Sequence, residues 1–356
     1  LVTDSPESGG TSPILQVDDL VVRFRGGGRV VRAVNSVSFS VYAGETVGIV
    51  GESGSGKTVT MLSILGLLPS PPAEVMSGTA RLFGEDLLAA SPSRLRELRG
   101  QKVAMVFQDP MTSLNPVIKV GEQIREAIWV HDRDGSRVDH MARVVELLDL
   151  VGVPQPARRA KQYPHEFSGG MRQRAMIAMA IANNPVLLVA DEPTTALDVT
   201  IQAQVIDVLM EAKRASGAAT VLVTHDLGIV SEIADRVIVM YAGRIVEQGP
   251  TAALFAQPRH PYTIGLLASL PSIDARQSRL YSIPGQPPNL ADVPSGCPFR
   301  TRCAVGRTRT RCSTEQPELI PVEIGHAVAC HYLDDVAAWA ESDPFREDEP
   351  ISGAAP

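Results

Sequence analysis

Residues 51–58, Gly-Glu-Ser-Gly-Ser-Gly-Lys-Thr, follow the spacing G-x-x-x-x-G-K-S/T. Glycines so spaced let the backbone curl until its N–H groups converge on phosphate oxygens, with the positive end of a following helix aimed at the same point. Gly51, Ser53, Gly54, Ser55, Gly56 and Thr60 are candidate nucleotide contacts. Lys57 is the cation for the β- and γ-phosphates, and Thr58 a hydroxyl ligand for Mg²⁺. The chemistry is that of a nucleoside triphosphate. Further along, Asp191 and Glu192 close an apolar run that begins at Pro185. Asp191 suits the Mg²⁺ shell, and Glu192 suits the base that orients an attacking water. Gln108 and His225 each follow an apolar run as well. A single Gln or His in such a place is more often structural, so these two are carried by their order among the other motifs.

Such groups need elements to hold them. Thr46–Val50 reads as a buried strand and Thr58–Gly66 as a helix, which is the strand–loop–helix setting a phosphate loop requires. Lys102–Phe107, Pro185–Asp191 and Ala219–Thr224 read as further strands of an α/β fold. Parallel strands present ligands at their carboxyl ends, so Gln108, Asp191, Glu192 and His225 are expected on one edge with the loop. Ser168 precedes Gly169, Gly170 and an apolar helical run, Ala175–Ala182; it suits a helix cap beside glycines that admit a phosphate. Helical spacing of Ile124, Ile128, Val144, Val145, Leu147 and Leu148 marks residues 117–163 as mostly helical, and Thr251–Leu270 reads likewise. A Pro/Gly-rich connector over 284–288 leads to the cysteines.

The chain has 356 residues with 44% hydrophobic and 21% charged residues, the balance of a globular protein with ample core. No apolar run nears the ~18 residues that span a bilayer, and residues 1–13 lack the pattern of a signal peptide. Residues 1–13 and 336–356 are expected to be flexible tails, and the chain to stay in the cytosol. A net charge of −7 argues against broad nucleic-acid binding. All four cysteines, Cys297, Cys303, Cys312 and Cys330, fall in one 34-residue window. Disulfides fit poorly with a reducing compartment. Zinc prefers closely paired ligands, whereas iron–sulfur clusters accept looser spacing. Four unrelated buried thiols remain the plain alternative.

In their order, the P-loop, Gln108, Ser168-Gly-Gly, Asp191-Glu192, Asp198 and His225 resemble the ATP-binding subunits of ABC transporters over about residues 15–249. Phe167 and Met171 depart from the commonest signature, as they do in the peptide-importer branch. Residues 107–116, 162–171, 260–267 and 296–303 are similar to the oligopeptide/dipeptide/nickel importers and extend the likeness to about Leu333. The resemblance implies a RecA-like ATPase core over 14–250 with an antiparallel β subdomain and a helical subdomain at about 117–165. It also implies a cysteine-bearing extension over 251–335. It implies a head-to-tail pair of cassettes with ATP at each composite site, where Ser168, Gly169 and Gly170 touch the partner's nucleotide. Asp198 would couple the sites, His225 would contact the γ-phosphate, and Gln108 would sense Mg²⁺ and the attacking water. Phe24 is a candidate for stacking on adenine, with a core aromatic as the equal alternative. A 4Fe–4S cluster is implied at the four cysteines, although residues 304–311 form a longer interval than usual. The implied partners are two membrane-spanning permease subunits, a second ATPase (a paralogue ahead of a second copy) and an extracytoplasmic peptide-binding protein. The implied place is the cytoplasmic face of the inner membrane. Import of nickel or another solute is the nearer alternative. A soluble, non-transport ABC ATPase is the remoter one, since those carry two cassettes or a long coiled-coil insertion.

Overall fold

The computed structural model describes residues 12–26, 28–109, 113–195, 198–270 and 282–342. The tail expected at 1–13 lies outside the described residues except for positions 12 and 13, as does the stretch 343–356 of the second tail.

The chain begins with β1 (Leu15–Gly26), β2 (Arg29–Val41), β3 (Thr46–Val50), α1 (Lys57–Ile64), β4 (Ala73–Leu82), β5 (Glu85–Asp86), α2 (Pro92–Leu98) and β6 (Val103–Val106). Four helices follow: α3 (Val120–Trp129), α4 (Arg137–Leu150), α5 (Pro156–Arg159) and α6 (Gly169–Ala180). The core resumes with β7 (Leu187–Asp191), α7 (Val199–Ser216), β8 (Ala219–Thr224), α8 (Leu227–Ile233), β9 (Arg236–Tyr241) and β10 (Arg244–Pro250). Last come α9 (Thr251–Ala256), α10 (Pro261–Ala268), α11 (Thr310–Thr314), β11 (Ile320–Glu323), β12 (His326–Val328) and α12 (Leu333–Glu341).

One sheet is antiparallel, in the order β2-β1-β4-β5; the other has eight strands, in the order β11-β12-β10-β9-β3-β8-β7-β6. Strands β9, β3, β8, β7 and β6 run parallel. Both faces of this parallel part are covered, which is why β3, β7 and β8 are buried at every residue and are mostly apolar rather than alternating. Successive side chains alternate faces. Val47, Ile49, Leu187, Val189, Val221 and Val223 pack toward the antiparallel sheet. Val50, Leu188, Ala190 and Leu222 join the core that contains α6 and α7. Each buried aliphatic side chain contributes roughly 1.5–3 kcal/mol.

The helical region forms where its spacing predicts. Ser136 caps α4 by accepting the Asp139 N–H, and α4 buries Val144, Leu147 and Leu148 along one stripe. The C-terminal region joins the core sheet: β12 pairs with β10 at Glu247↔Val328 and Gln248↔Ala327. Buried His326 and Glu247 meet there at 2.8 Å. One expectation needs correction. Residues 336–341, assigned above to a flexible tail, are helical in α12, because Val336 is buried and Arg309 pairs with Asp335 at 2.7 Å.

Candidate nucleotide site

Gly51, Gly54 and Gly56 have φ of 148°, 77° and 101°. A Cβ on Gly51 would stand 2.2 Å from the Met240 carbonyl oxygen, and one on Gly56 2.4 Å from that of Ala33. The backbones of β9 and β2 therefore wall the loop and exclude side chains at both positions. Lys57 opens α1, and its ammonium donates to the carbonyls of Gly51 (2.7 Å) and Glu52 (3.1 Å). Burial lowers its pKa, and the charges of Glu192, Asp191 and Glu52 oppose that shift. The buried Ser55 hydroxyl has no hydrogen-bond partner among the described residues. Such a group costs about 1–3 kcal/mol, and a bound anion would satisfy it; the loop fits a triphosphate. Ser53 and Gly54 are exposed at its rim. Thr60 does not belong to this face. It is fully buried and its hydroxyl donates to the Gly56 carbonyl, inside the first helical turn.

The ends of β3, β6, β7 and β8 bring the other candidates to the same edge. Thr58 Oγ1 donates to Asp191 Oδ1 at 2.8 Å. Burial pushes the Asp191 carboxyl above its ordinary range; the Thr58 hydrogen bond opposes this, the Glu192 charge adds to it, and Lys57 opposes it. A divalent cation beside Thr58 and Asp191 would offset that cost. On Glu192, Oε2 accepts from Gln108 Nε2 (3.1 Å) and Thr195 Oγ1 (2.9 Å), and His225 Nδ1 lies 3.6 Å from it. Glu192 has a φ of 44°. Its N–H donates to the Val223 carbonyl at 2.7 Å, and its own carbonyl accepts the Thr195 N–H at 3.1 Å. A left-handed glutamate costs about 1–3 kcal/mol, and strain of that kind concentrates at functional sites.

Ser168 caps α6 by accepting the Met171 N–H at 3.3 Å, and Ser168 and Gly169 are exposed. A Cβ on Gly170 would stand 2.9 Å from Ile201 Cγ2, so this glycine also lets α6 approach α7. Asp198 caps α7 through the Ile201 N–H at 3.0 Å. Phe24 lies on β1, half-buried against the core under the antiparallel sheet.

The four cysteines are free thiols that line one cleft with His260, Phe299 and Tyr332. Burial pushes Cys297 up to about 12 and Cys330 to about 11, and raises Cys303 and Cys312. The Gly306 N–H donates to Cys303 Sγ at 3.1 Å. The iron–sulfur site expected from the sequence is not formed as a ready ligand set: among the described residues no group of three or more His, Cys, Asp or Glu is arranged to hold a metal ion. Neutral thiols pack like small apolar side chains and close the cleft to about 10 Å³. Four soft donors on one cleft still suit a thiophilic metal by type.

Residues 34–195 match the family described as ABC transporter. Residues 246–312 match the one described as Oligopeptide/dipeptide transporter, C-terminal region. The dipeptide transport ATP-binding protein DppD of Escherichia coli is 51% identical over 323 residues, covering 90% of this chain and 98% of that protein. This chain belongs to the ATP-binding protein family of oligopeptide and dipeptide ABC transporters. The oligopeptide transport ATP-binding protein OppD of Mycobacterium tuberculosis is 49% identical over 336 residues, 94% of this chain but 54% of that protein. The chain thus spans about half the length of that relative. The solved dimeric structure of MJ0796, a bacterial ABC transporter cassette, superposes with a TM-score of 0.60 at 26% identity, over 67% of this chain and 98% of that one. The ABC ATPase fold read from the sequence is therefore the fold of this family member. Among the described residues no helix is long and apolar enough to cross a membrane.

Three contacts of this ABC cassette were not legible beforehand. Thr195 opens the short segment that ends at Asp198, but nothing in that segment points to its hydrogen bond to Glu192. Tyr262 and Arg302, which hold Glu52, lie 210 and 250 residues from it, beyond the reach of any local signal.

Proposed function

We propose that this chain binds and hydrolyses ATP to power a membrane importer of di- or oligopeptides. The observation that carries the reading is the gathering of Gln108, Thr195 and His225 on one oxygen of Glu192, next to the Thr58–Asp191 pair. Lys57 and the loop N–H groups hold the phosphates, and Glu192 orients the attacking water with Gln108 and His225 beside it. When bound, Mg²⁺ neutralises phosphate charge; Thr58, Asp191 and Gln108 are the residues to hold it. Two cassettes meet head to tail, so Ser168, Gly169 and Gly170 serve the partner's nucleotide, and Asp198 couples the two sites. Phe24 stacks on adenine. The partner cassette is a paralogue, and an extracytoplasmic protein delivers the peptide.

Two permease subunits dock on the cytoplasmic face of the inner membrane. A groove of about 550 Å³ lined by Leu65, Leu67, Val103, Phe107, Met176 and Met179 supports that docking, because Phe107 adjoins Gln108. Cys297, Cys303, Cys312 and Cys330 hold a 4Fe–4S cluster, with zinc as the alternative occupant of the same thiols. The shared cleft supports this. Anaerobic purification followed by metal analysis tests it: about four irons per chain supports the cluster, one zinc replaces it, and neither metal rejects both. For the activity itself, purified chain is assayed for ATP binding and turnover. Lys57→Ala is expected to lose binding, and wild-type affinity in that variant would reject the reading.

A further inference from the structure

We infer that Arg302 is a positioning residue for the phosphate-binding loop: it clamps Glu52 and makes nucleotide affinity depend on the cysteine-bearing C-terminal region. The inference rests on the nucleotide-site reading above. Glu52 is the one carboxylate within residues 51–58. Arg302 directly precedes Cys303, and its side chain is 4% exposed. Its Nη1 donates to Glu52 Oε2 at 2.6 Å and its Nη2 to Oε1 at 2.9 Å, a two-pronged pair that fixes orientation as well as charge. The same guanidinium donates to the carbonyls of Pro284 (2.9 Å) and Ile283 (3.3 Å), which ties in the connector.

The clamp reaches the loop lysine through one residue. The Glu52 N–H donates to the Tyr262 hydroxyl at 2.8 Å, and the Glu52 carbonyl accepts from Lys57 Nζ at 3.1 Å. Phe299 packs against Tyr241 and Tyr262 at ring distances of 5.2 and 5.4 Å, and it lines the thiol cleft together with Cys303. Pro287, Pro288, Asn289 and Leu290 face Glu52–Ser55 across a second cleft. A carboxylate in an anion-binding loop repels phosphate unless a cation neutralises it. Arg302 supplies that cation, and its planar fork holds the carboxylate where a lysine's point charge would not.

The test measures ATP affinity of the full chain by calorimetry in EDTA, so that nothing turns over. Arg302→Gln is expected to weaken ATP binding about tenfold, in the lower part of the usual range for coupled sites. Glu52→Gln is expected to bind more weakly than wild type but more tightly than Arg302→Gln, because its amide oxygen still accepts one N–H from Arg302 and the repelling charge is gone; Glu52→Gln/Arg302→Gln is expected to recover part of the loss. That recovery separates charge and positioning from damage to the C-terminal region, which removal of Glu52 would not repair. Unchanged affinity in Arg302→Gln overturns the inference, and so does a double variant as weak as the single. If Arg302→Gln does not fold, Arg302→Met, which keeps the reach of the side chain without its charge, with and without Glu52→Gln carries the same comparison. Lys57→Ala is the control. If it too binds normally, the nucleotide-site reading fails; if it alone loses binding, only the role of Arg302 falls.

Discussion

One carboxylate oxygen of Glu192 collects Thr195, Gln108 and His225, so the residue proposed to orient water is itself held by three side chains. Replacing it by Gln should slow hydrolysis by ~10²–10⁴ while ATP binding is kept, the usual scale for a positioned base. A turnover assay with normal rates would reject that role. Gln108, Glu192 and His225 were legible because each ends a strand at the expected edge. Thr60 follows the lysine closely in sequence, but two residues along a helix is about 200° of rotation, so its hydroxyl turns away from Thr58 and donates to the Gly56 carbonyl. A different residue sets a pH limit. Burial lowers the His260 imidazole to about 4, against the pull of Glu247, and its Nδ1 accepts the Tyr262 N–H at 3.1 Å as a neutral ring must. Between the ordinary value near 6.5 and about 4, the unfolded chain binds a proton that the folded chain refuses, so stability falls as pH drops. At pH 5 the loss from this residue is roughly 2 kcal/mol. Denaturant midpoints at pH 7.5 and 5 should converge in His260→Asn, which keeps a capping acceptor without the titration. An equal pH effect in both proteins would rule this out.

Elements explain why the loop tolerates so little change. Gly56→Ala would place a Cβ 2.4 Å from the Ala33 carbonyl at a φ of 101°, while Gly54, at 77°, has open space around it. We expect Gly54→Ala to cost only the left-handed penalty of roughly 1–2 kcal/mol. Gly56→Ala should cost more and lose ATP affinity besides, because the clash is with backbone of β2. Thermal denaturation and ATP titration of the pair decide it; equal effects would mean that β2 does not wall the loop. Strands β3, β6, β7 and β8 could be read directly, since burial on both faces leaves an apolar run. The hairpin β11–β12 could not. Its strands have four and three residues, too few for a period, and they are held by the edge of β10. The first turn of α12 was hidden for a related reason: it depends on a partner, Arg309, that only the folded chain brings near.

At the scale of the whole molecule, the exposed Ser168 at the start of α6 is proposed to serve the partner's nucleotide, with the cassettes paired head to tail. Ser168→Arg should then leave ATP binding at the chain's own loop near normal and abolish hydrolysis at the partner's. Mixed dimers with a Lys57→Ala chain separate the two, and defects mapping to one nucleotide would exclude the composite site. The order of strands has a consequence for how this protein is made. Strand β3 lies between β8 and β9, paired at Thr46↔Thr220 and Val47↔Arg236. When the ribosome releases the phosphate loop, neither neighbour of its strand exists yet. At ordinary elongation rates the wait is on the order of 10–40 s. During that time a strand that is buried throughout in the finished sheet has no sheet to enter, and ATP has no site to stabilise. The nascent chain must be sheltered by something other than its ligand, and every prematurely ended product short of β9 is a substrate for chaperones or proteases.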